Sequence, residues 1–486
     1  MRARKLFVIS DLHIGGAYAA NPETPSRGFR ICTRVDRLAS FVKGLPRPTD
    51  REAVELVING DFVDFLAEPV SSTAGSTGDE NWVPFVESGD DAATVLSKIA
   101  KRDAPLFDAL REFLRSGGRL TLVLGNHDIE LSLPAVRQEL ENVLDSLGRD
   151  LHFVYDGQAY SVGPVLIEHG NRYDAWNVVQ HDALRRLRSS QSRGERRKTG
   201  FEAPAGSHLV AGVMNKVKES FPFVDLLKPE CEAVLPMLLA LAPEYRAHIF
   251  AAARLAGAAY GRRFGVEVAP KTLGDMSAPA APASDGRSIV VGALSQLLPA
   301  DELGSFIGQT VGLADDPAET VAGDIAAFDA MRTTWGWMRL LTAPQATPLE
   351  KRLPALRAAM GAARNTYDFC RTRESPGYQK AAEDLCAQGW RFVVFGHTHL
   401  AKRIELANGG LYFNTGTWAD LIEFPIEVLV KPPAGADDPL LQFINEMRDS
   451  RFDRHIRFKP TYAEFAFDCE GAVVSAELRD FEQDAG

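Results

Sequence analysis

Cysteine is scarce in this chain: Cys32, Cys231, Cys370, Cys386 and Cys469 are 5 of 486 residues, with no C-x-x-C spacing. An odd, scattered set excludes a disulfide-built scaffold and a cysteine zinc knuckle, and fits free thiols in a reducing compartment. Long apolar runs are missing too. No window approaches about 18 uninterrupted apolar residues, so no membrane-spanning helix is expected. The opening MRARKLFVISDLH is basic, but its apolar run is far too short for a signal-peptide core. Nor is there an excess of positive charge. With 54 Lys and Arg against 65 Asp and Glu, the net charge is −11. Such a molecule is not built to coat nucleic acid or an anionic membrane, although local basic patches are allowed. The cytoplasm is the expected compartment, nucleic acid is a disfavoured partner, and contact with a membrane surface stays open.

What is present is ordinary globular composition, 45% hydrophobic and 24% charged. The length exceeds that of a usual single domain, so a large domain with an insertion, or two domains, is expected. One pattern recurs along it. KLFVIS runs into Asp11-Leu12-His13, AVELVI into Asn59-Gly60-Asp61, and RLTLVL into Gly125-Asn126-His127-Asp128. PVLIE then runs into His169-Gly170, and RFVVF into Gly396-His397-Thr398-His399. Each lead-in is a short run rich in Val, Ile, Leu and Phe, as expected of strands buried on both faces.

Amphipathic segments separate several of them: RVDRLASFVKGL, APLFDALREFLRSGG and YQKAAEDLCAQGW. Strand–helix alternation predicts an α/β sheet with its ligands at the carboxyl edge of the strands. On an extended backbone His397 and His399 point the same way and can lean into one pocket. Asp, Asn and His side chains from five places would then converge. The YFNTGTW stretch reads as support for that site, and the tail around Asp468-Cys469-Glu470-Gly471 reads as a closing hairpin.

The ordered set D-x-H, GD-x-x-D, GNHD, HG and GHTH, each after a strand, resembles the calcineurin-like metallophosphoesterases over roughly the first 180 and last 110 residues. The resemblance implies a β-sandwich flanked by helices, and a hydrolase of phosphomonoester, phosphodiester or pyrophosphate bonds that uses a metal-activated hydroxide. It implies two divalent cations bridged by Asp61, one also on Asp11, His13 and His399, the other on Asn126, His169 and His397. A thiolate-free set of carboxylate, amide and imidazole suits Mn foremost, or Fe or Zn. Neutral Asn126 would sit beside an anionic substrate without adding charge. The resemblance also implies a general-acid role for His127, with Asp64 at the family's position for its orienting partner. Asp128 reads as a turn residue.

Departures from the family's protein phosphatases weaken that particular reading. Phe65 and Leu66 stand where those enzymes carry a phosphate-gripping Arg-Gly, and Asp128 stands in place of their Glu. Arg172 could supply a phosphate contact, or be a loop arginine. His152, His181, His208, His248 and His455 fall outside the pattern and read as core or surface residues.

The sequence divides into a core over 1–184, an insertion over 185–376 and a second core segment over 377–486. Within the insertion, RRLRSSQSRGERRKTG (Arg185–Gly200) reads as a solvated connector or an anion site. Leu-, Ala- and Phe-rich patterns follow, with a linker-like Met276–Gly286 among them, so a mainly helical cap is expected. Its apolar surface either packs on itself or lines a groove for a lipid substituent. Two rivals to a phosphohydrolase of small-molecule or lipid substrates remain: a nuclease-like phosphodiesterase, and a metal-free scaffold of the same fold.

Overall fold

Alternation along the first strand, β1 (Ala3–Ile9), divides its side chains between two cores. Leu6 and Val8 turn one way, and Phe7 and Ile9 the other; all four are buried. The computed structural model describes residues 2–16, 30–70, 82–174, 176–195, 200–218, 220–228, 233–246, 335–361, 370–433 and 436–481. Within them the chain is a mixed α/β protein.

One sheet takes β1 with β2 (Glu52–Asn59), β3 (Arg119–Val123) and β4 (Leu151–Val154) in parallel. On the other side of β1 lie β13 (Thr461–Phe467) and β14 (Val473–Asp480), the antiparallel hairpin expected of the tail. The second sheet has the order β5 (Tyr160–Val162), β6 (Val165–Ile167), β8 (Phe392–Phe395), β10 (Leu411–Asn414) and β9 (Lys402–Glu405). Short strands β7 (Leu227–Lys228) and β11 (Leu421–Glu423) pair in parallel, and β12 covers Ile456–Arg457. The five apolar lead-ins are thus shared between two sheets: β1, β2 and β3 in one, β6 and β8 in the other.

The sheets share a core in which Leu6, Val8, Val57 and Val123 meet Val165, Ile167, Phe392, Val394 and Phe413, with Phe465 among them. The outer face of the first sheet is covered by α1 (Val35–Gly44), α2 (Gly89–Arg102), α3 (Ala104–Arg115) and α4 (Pro134–Val143). Leu106, Leu110, Phe113 and Leu114 recur at helical spacing along α3, which is why that stretch folds as a helix against the sheet. The helix Pro376–Ala387 covers the second sheet through Ala381 and Ala382.

Register fixes where the motifs emerge. Ile9 pairs with Ile58, and Ile58 with Leu122, so three strands end at one level. Ile167 pairs with Val394 in the other sheet. All five motif loops therefore leave the carboxyl ends of parallel strands.

The chain divides into two units: Met1–Leu226, Tyr367–Leu421 and Ile456–Gly486 in one, Leu227–Thr366 with Ile422–His455 in the other. This differs from the division read in the sequence. Residues 205–226 belong with the first unit because Asn215 there is fully buried and donates through Nδ2 to Leu66 O at 2.7 Å. The stretch 422–455 belongs with the second, where Arg357 in the helix Leu349–Ala359 pairs with Asp438 at 2.7 Å. The basic run from Arg185 is also no simple connector at its start. Leu184, Leu187 and Arg188 are buried on the helix His181–Gln191, and the Arg188 guanidinium lies 4.8 Å from the Tyr155 ring centre. The linker-like Met276–Gly286 and the helical patterns between 247 and 334 lie outside the described residues.

Candidate metal centre

All the side chains read as ligands belong to the first unit, and they gather at the ends of β1, β2, β3, β6 and β8. The local backbone is unusual there. Among the described residues seven non-glycine positions have positive φ, and five of them are Asp11, His13, Asp61, His397 and His399. Left-handed backbone at such residues costs on the order of 1–3 kcal/mol each and persists only where the surroundings enforce it. They do. Asp11 O accepts from Thr417 Oγ1 at 2.6 Å and Trp418 N at 3.3 Å, while His397 N donates to both carboxylate oxygens of Asp11 at 3.0 Å. The Asp61 carbonyl accepts from Leu12 and His13, and its Oδ1 from His127 N at 2.8 Å.

Two motif glycines are required by close approach. A Cβ on Gly125 would stand 2.1 Å from Asp61 Oδ1, and one on Gly396 would stand 2.6 Å from Asp11 Oδ2. Asp128 is the turn residue the sequence suggested: its carboxylate takes Gly125 N at 2.7 Å and Phe62 N at 2.8 Å, tying the β3 loop to the β2 loop.

Three groups of ligand-type side chains result, each with one donor atom per residue inside 4.8 Å: Asp11–His13–Asp61–His399, Asp61–His169–His397 and His13–Asp64–His127. The first two meet at Asp61. In the first, His13 Nε2 lies 3.0 Å from His399 Nε2 and 3.7 Å from Asp61 Oδ2, and His399 Nε2 lies 3.4 Å from Asp11 Oδ1. In the second, His169 Nε2 is 3.1 Å from Asp61 Oδ2, and its Nδ1 is held by the Asn59 carbonyl at 2.8 Å. Asn126 is 3% exposed; its Nδ2 donates to Asn177 at 3.3 Å, and its buried Oδ1 has no hydrogen-bond partner.

A buried amide oxygen without a donor is costly, and neutral imidazoles beside carboxylates are the donor set of hard and borderline cations. These residues fit metal ions. In the third group Asp64 links two rings, with Oδ2 3.1 Å from His13 Nδ1 and Oδ1 3.2 Å from His127 Nδ1. That arrangement makes Asp64 an orienting carboxylate for both.

Electrostatics follow from this crowding. Burial raises the Asp61 carboxyl, but His169, His127 and His13 outweigh it and hold it well below the ordinary range. Asp64 is likewise lowered, its burial outweighed by His127 and His13. Asp11 is raised, by burial foremost and then by the charge of Asp61. Burial disfavours the His127 cation, yet Asp64 and Asp61 push its pKa up to about 9. For His169, burial is again overcome by Asp61, and its pKa rises to about 10.

Arg172 sits on the turn Asn171–Tyr173 with its side chain 46% exposed and Nη1 3.1 Å from Glu168 Oε2. It is thus an exposed, ion-paired arginine on the loop that follows β6. Asp174 was not singled out from the sequence. Its Oδ2 lies 3.0 Å from His397 Nε2 and takes Asn177 Nδ2 at 2.7 Å, so it orients a candidate ligand ring. An acid five residues beyond His169, inside HGNRYDAWN, was the available signal. Ser10, which hydrogen-bonds Asp11 and Thr415, carried none.

No family model, characterised protein or solved structure matches the chain. Among the described residues no helix is long and apolar enough to cross a membrane.

Proposed function

We propose that this protein is a dinuclear-metal phosphohydrolase of the calcineurin-like type, cleaving phosphate esters or pyrophosphates of small molecules. One observation carries the reading: two acid–imidazole groups share Asp61, with a His127–Asp64 pair beside them that is joined to the first group through His13. Asp61 would hold both ions, with Asp11, His13 and His399 on one side, and Asn126, His169 and His397 on the other. Bound there, divalent cations such as Mn would supply Lewis-acid polarisation of phosphoryl oxygens and acidify a water.

The chain's own residues do the rest. Asp64 fixes His127 through Nδ1 and leaves Nε2 as the nitrogen that hands a proton to the departing oxygen. The raised pKa keeps that proton in place at neutral pH. Asp64, Asn59 O and Asp174 orient the rings of His13, His169 and His397 from behind.

The test is hydrolysis of a panel of phosphomonoesters, phosphodiesters and pyrophosphates by chelator-stripped protein with and without added Mn, alongside metal analysis. About two ions bound, with activity restored by metal and lost in Asp61→Ala, is the expected outcome. Full turnover by stripped protein would refute the proposal.

A further inference from the structure

Asn126 can ligate a metal only through its oxygen, yet an amide has two ends of nearly equal size. Something must decide which end faces the metal centre. Asn126 Nδ2 donates to Asn177 Oδ1 at 3.3 Å, and Asn177 Nδ2 donates to Asp174 Oδ2 at 2.7 Å. The same Asp174 oxygen lies 3.0 Å from His397 Nε2. Asp174 fixes the direction of this chain, because an ionised carboxylate only accepts. Its partner on Asn177 has to be the NH2 group, which turns Asn177 Oδ1 toward Asn126. Asn126 must then meet it with its own NH2. The buried Oδ1 of Asn126, which has no hydrogen-bond partner, is left for a cation. On the other side, a proton on His397 Nε2 directed at Asp174 leaves Nδ1 as the bare nitrogen. One carboxylate thus sets the donor atoms of two candidate ligands, and its link to Asn126 is Asn177.

Asn177 is itself held. Its N–H donates to Asp174 O at 3.1 Å, and its carbonyl accepts from Asn171 Nδ2 at 2.9 Å. Its side chain is backed by Gly206, in the short helix Ala205–Leu209 of the region read from sequence as an insertion. Gly206 N donates to Trp176 O at 2.8 Å, and a Cβ on Gly206 would stand 2.3 Å from Asn177 Oδ1. That is well inside van der Waals contact, so only glycine leaves the amide where it is. Gly206 and Asn177 belong to the same unit of the chain as the metal centre.

We propose that Asn177 is the positioning residue for one ion of the proposed centre, the one on Asn126, His169 and His397. Gly206 seats it there, so a helix of the inserted region sets the affinity of one metal site. The inference rests on the dinuclear reading and assigns residues that the reading itself does not use.

The experiment is calorimetric titration of the chelator-stripped, intact protein with Mn, read as two binding events. Asn177→Ala should weaken one event about 10–100-fold, the range for residues behind metal ligands, and leave the other unchanged. Gly206→Ala should weaken the same event about tenfold by pushing the amide aside. Alanine suits a helix better than glycine, so the melting temperature of the stripped Gly206→Ala protein should hold. Adding Gly206→Ala to Asn177→Ala should cost nothing more, because the colliding oxygen is gone. Fewer than two events in the unaltered protein overturn the dinuclear reading and this proposal together. Two events that both variants leave unchanged, or equal weakening of both with a lowered melting temperature, overturn the proposal alone.

Discussion

Replacing Asp64 by Asn separates its two roles while keeping its shape. In the native protein Asp64 accepts from His13 Nδ1, His127 Nδ1 and Ala67 N, at 3.1, 3.2 and 3.1 Å. An amide has one acceptor oxygen, so one ring must lose its anchor. Hydrogen bonds to a charged group are worth about 1.5–3 kcal/mol each, which is roughly 10–100-fold in whatever each ring does. If His13 loses its anchor, the affinity of the first ion should fall about 10–100-fold, as for other residues behind metal ligands. If His127 loses its anchor, kcat should fall with alkyl esters more than with nitrophenyl esters, because only the poor leaving group needs the proton. Metal titration and kcat on the two ester classes read these effects separately. The His127→Ala/Asp64→Asn double variant should be little worse than the worse single variant in the leaving-group effect. Unchanged metal affinity together with equal losses on both esters would refute the role of Asp64 as a shared anchor.

His127→Ala alone should lower turnover of alkyl phosphate esters on the order of 10²–10⁴-fold with little change in metal content; an equal loss on nitrophenyl esters would contradict proton donation. Asp174→Asn should weaken metal binding about 10–100-fold through His397 without altering the leaving-group dependence, as read by metal titration. In metal-free protein the pKa values of His127 and His169 are raised above the unfolded value, to about 9 and about 10, so their stabilising contribution is complete below about pH 6.5 and is lost as pH rises through 9–10. The urea midpoint of chelated protein should fall over that range, the fall should shrink when Mn replaces the His169 proton, and a flat profile would contradict the assignment. Phe465→Ala should cost about 3–5 kcal/mol in urea unfolding, because Phe465 is fully buried between Phe392 and Phe413, with ring centres 5.6 and 5.4 Å away.

The strands and their motifs were legible because each feature is local. Runs such as KLFVI and RFVVF announce buried strands, and the residues that follow them announce loops with ligand chemistry. The convergence of Asp11, His13, Asp61, Asn126, His169, His397 and His399 was legible only through the order of the motifs. What stayed hidden depends on through-space contacts. Asp174 meets His397 across 223 positions of sequence, and Ser10 meets Thr415 across 405. No spacing rule reaches that far. The limits of the inserted region were hidden for a similar reason, since a pair such as Arg357–Asp438 decides where 422–455 belongs.

The centre makes little sense as a device for stability. Five of its residues hold left-handed backbone, each at a cost of about 1–3 kcal/mol, and glycine is forced at Gly125 and Gly396 by atoms of Asp61 and Asp11. Two carboxylates, Asp11 and Asp61, are buried near one another; burial foremost, and then the charge of Asp61, raises Asp11. Apolar side chains of similar volume would pack there without these penalties. In the metal-free state the positive charge that tolerates the carboxylates comes from protons on His127 and His169. Cations would displace the His169 proton while leaving that of His127, whose Nδ1 faces Asp64. On the proposed function, the same crowding would divide the imidazoles into ring nitrogens for metal and one proton kept for the leaving group. That division of labour is what the proposed phosphohydrolase activity would require of these residues.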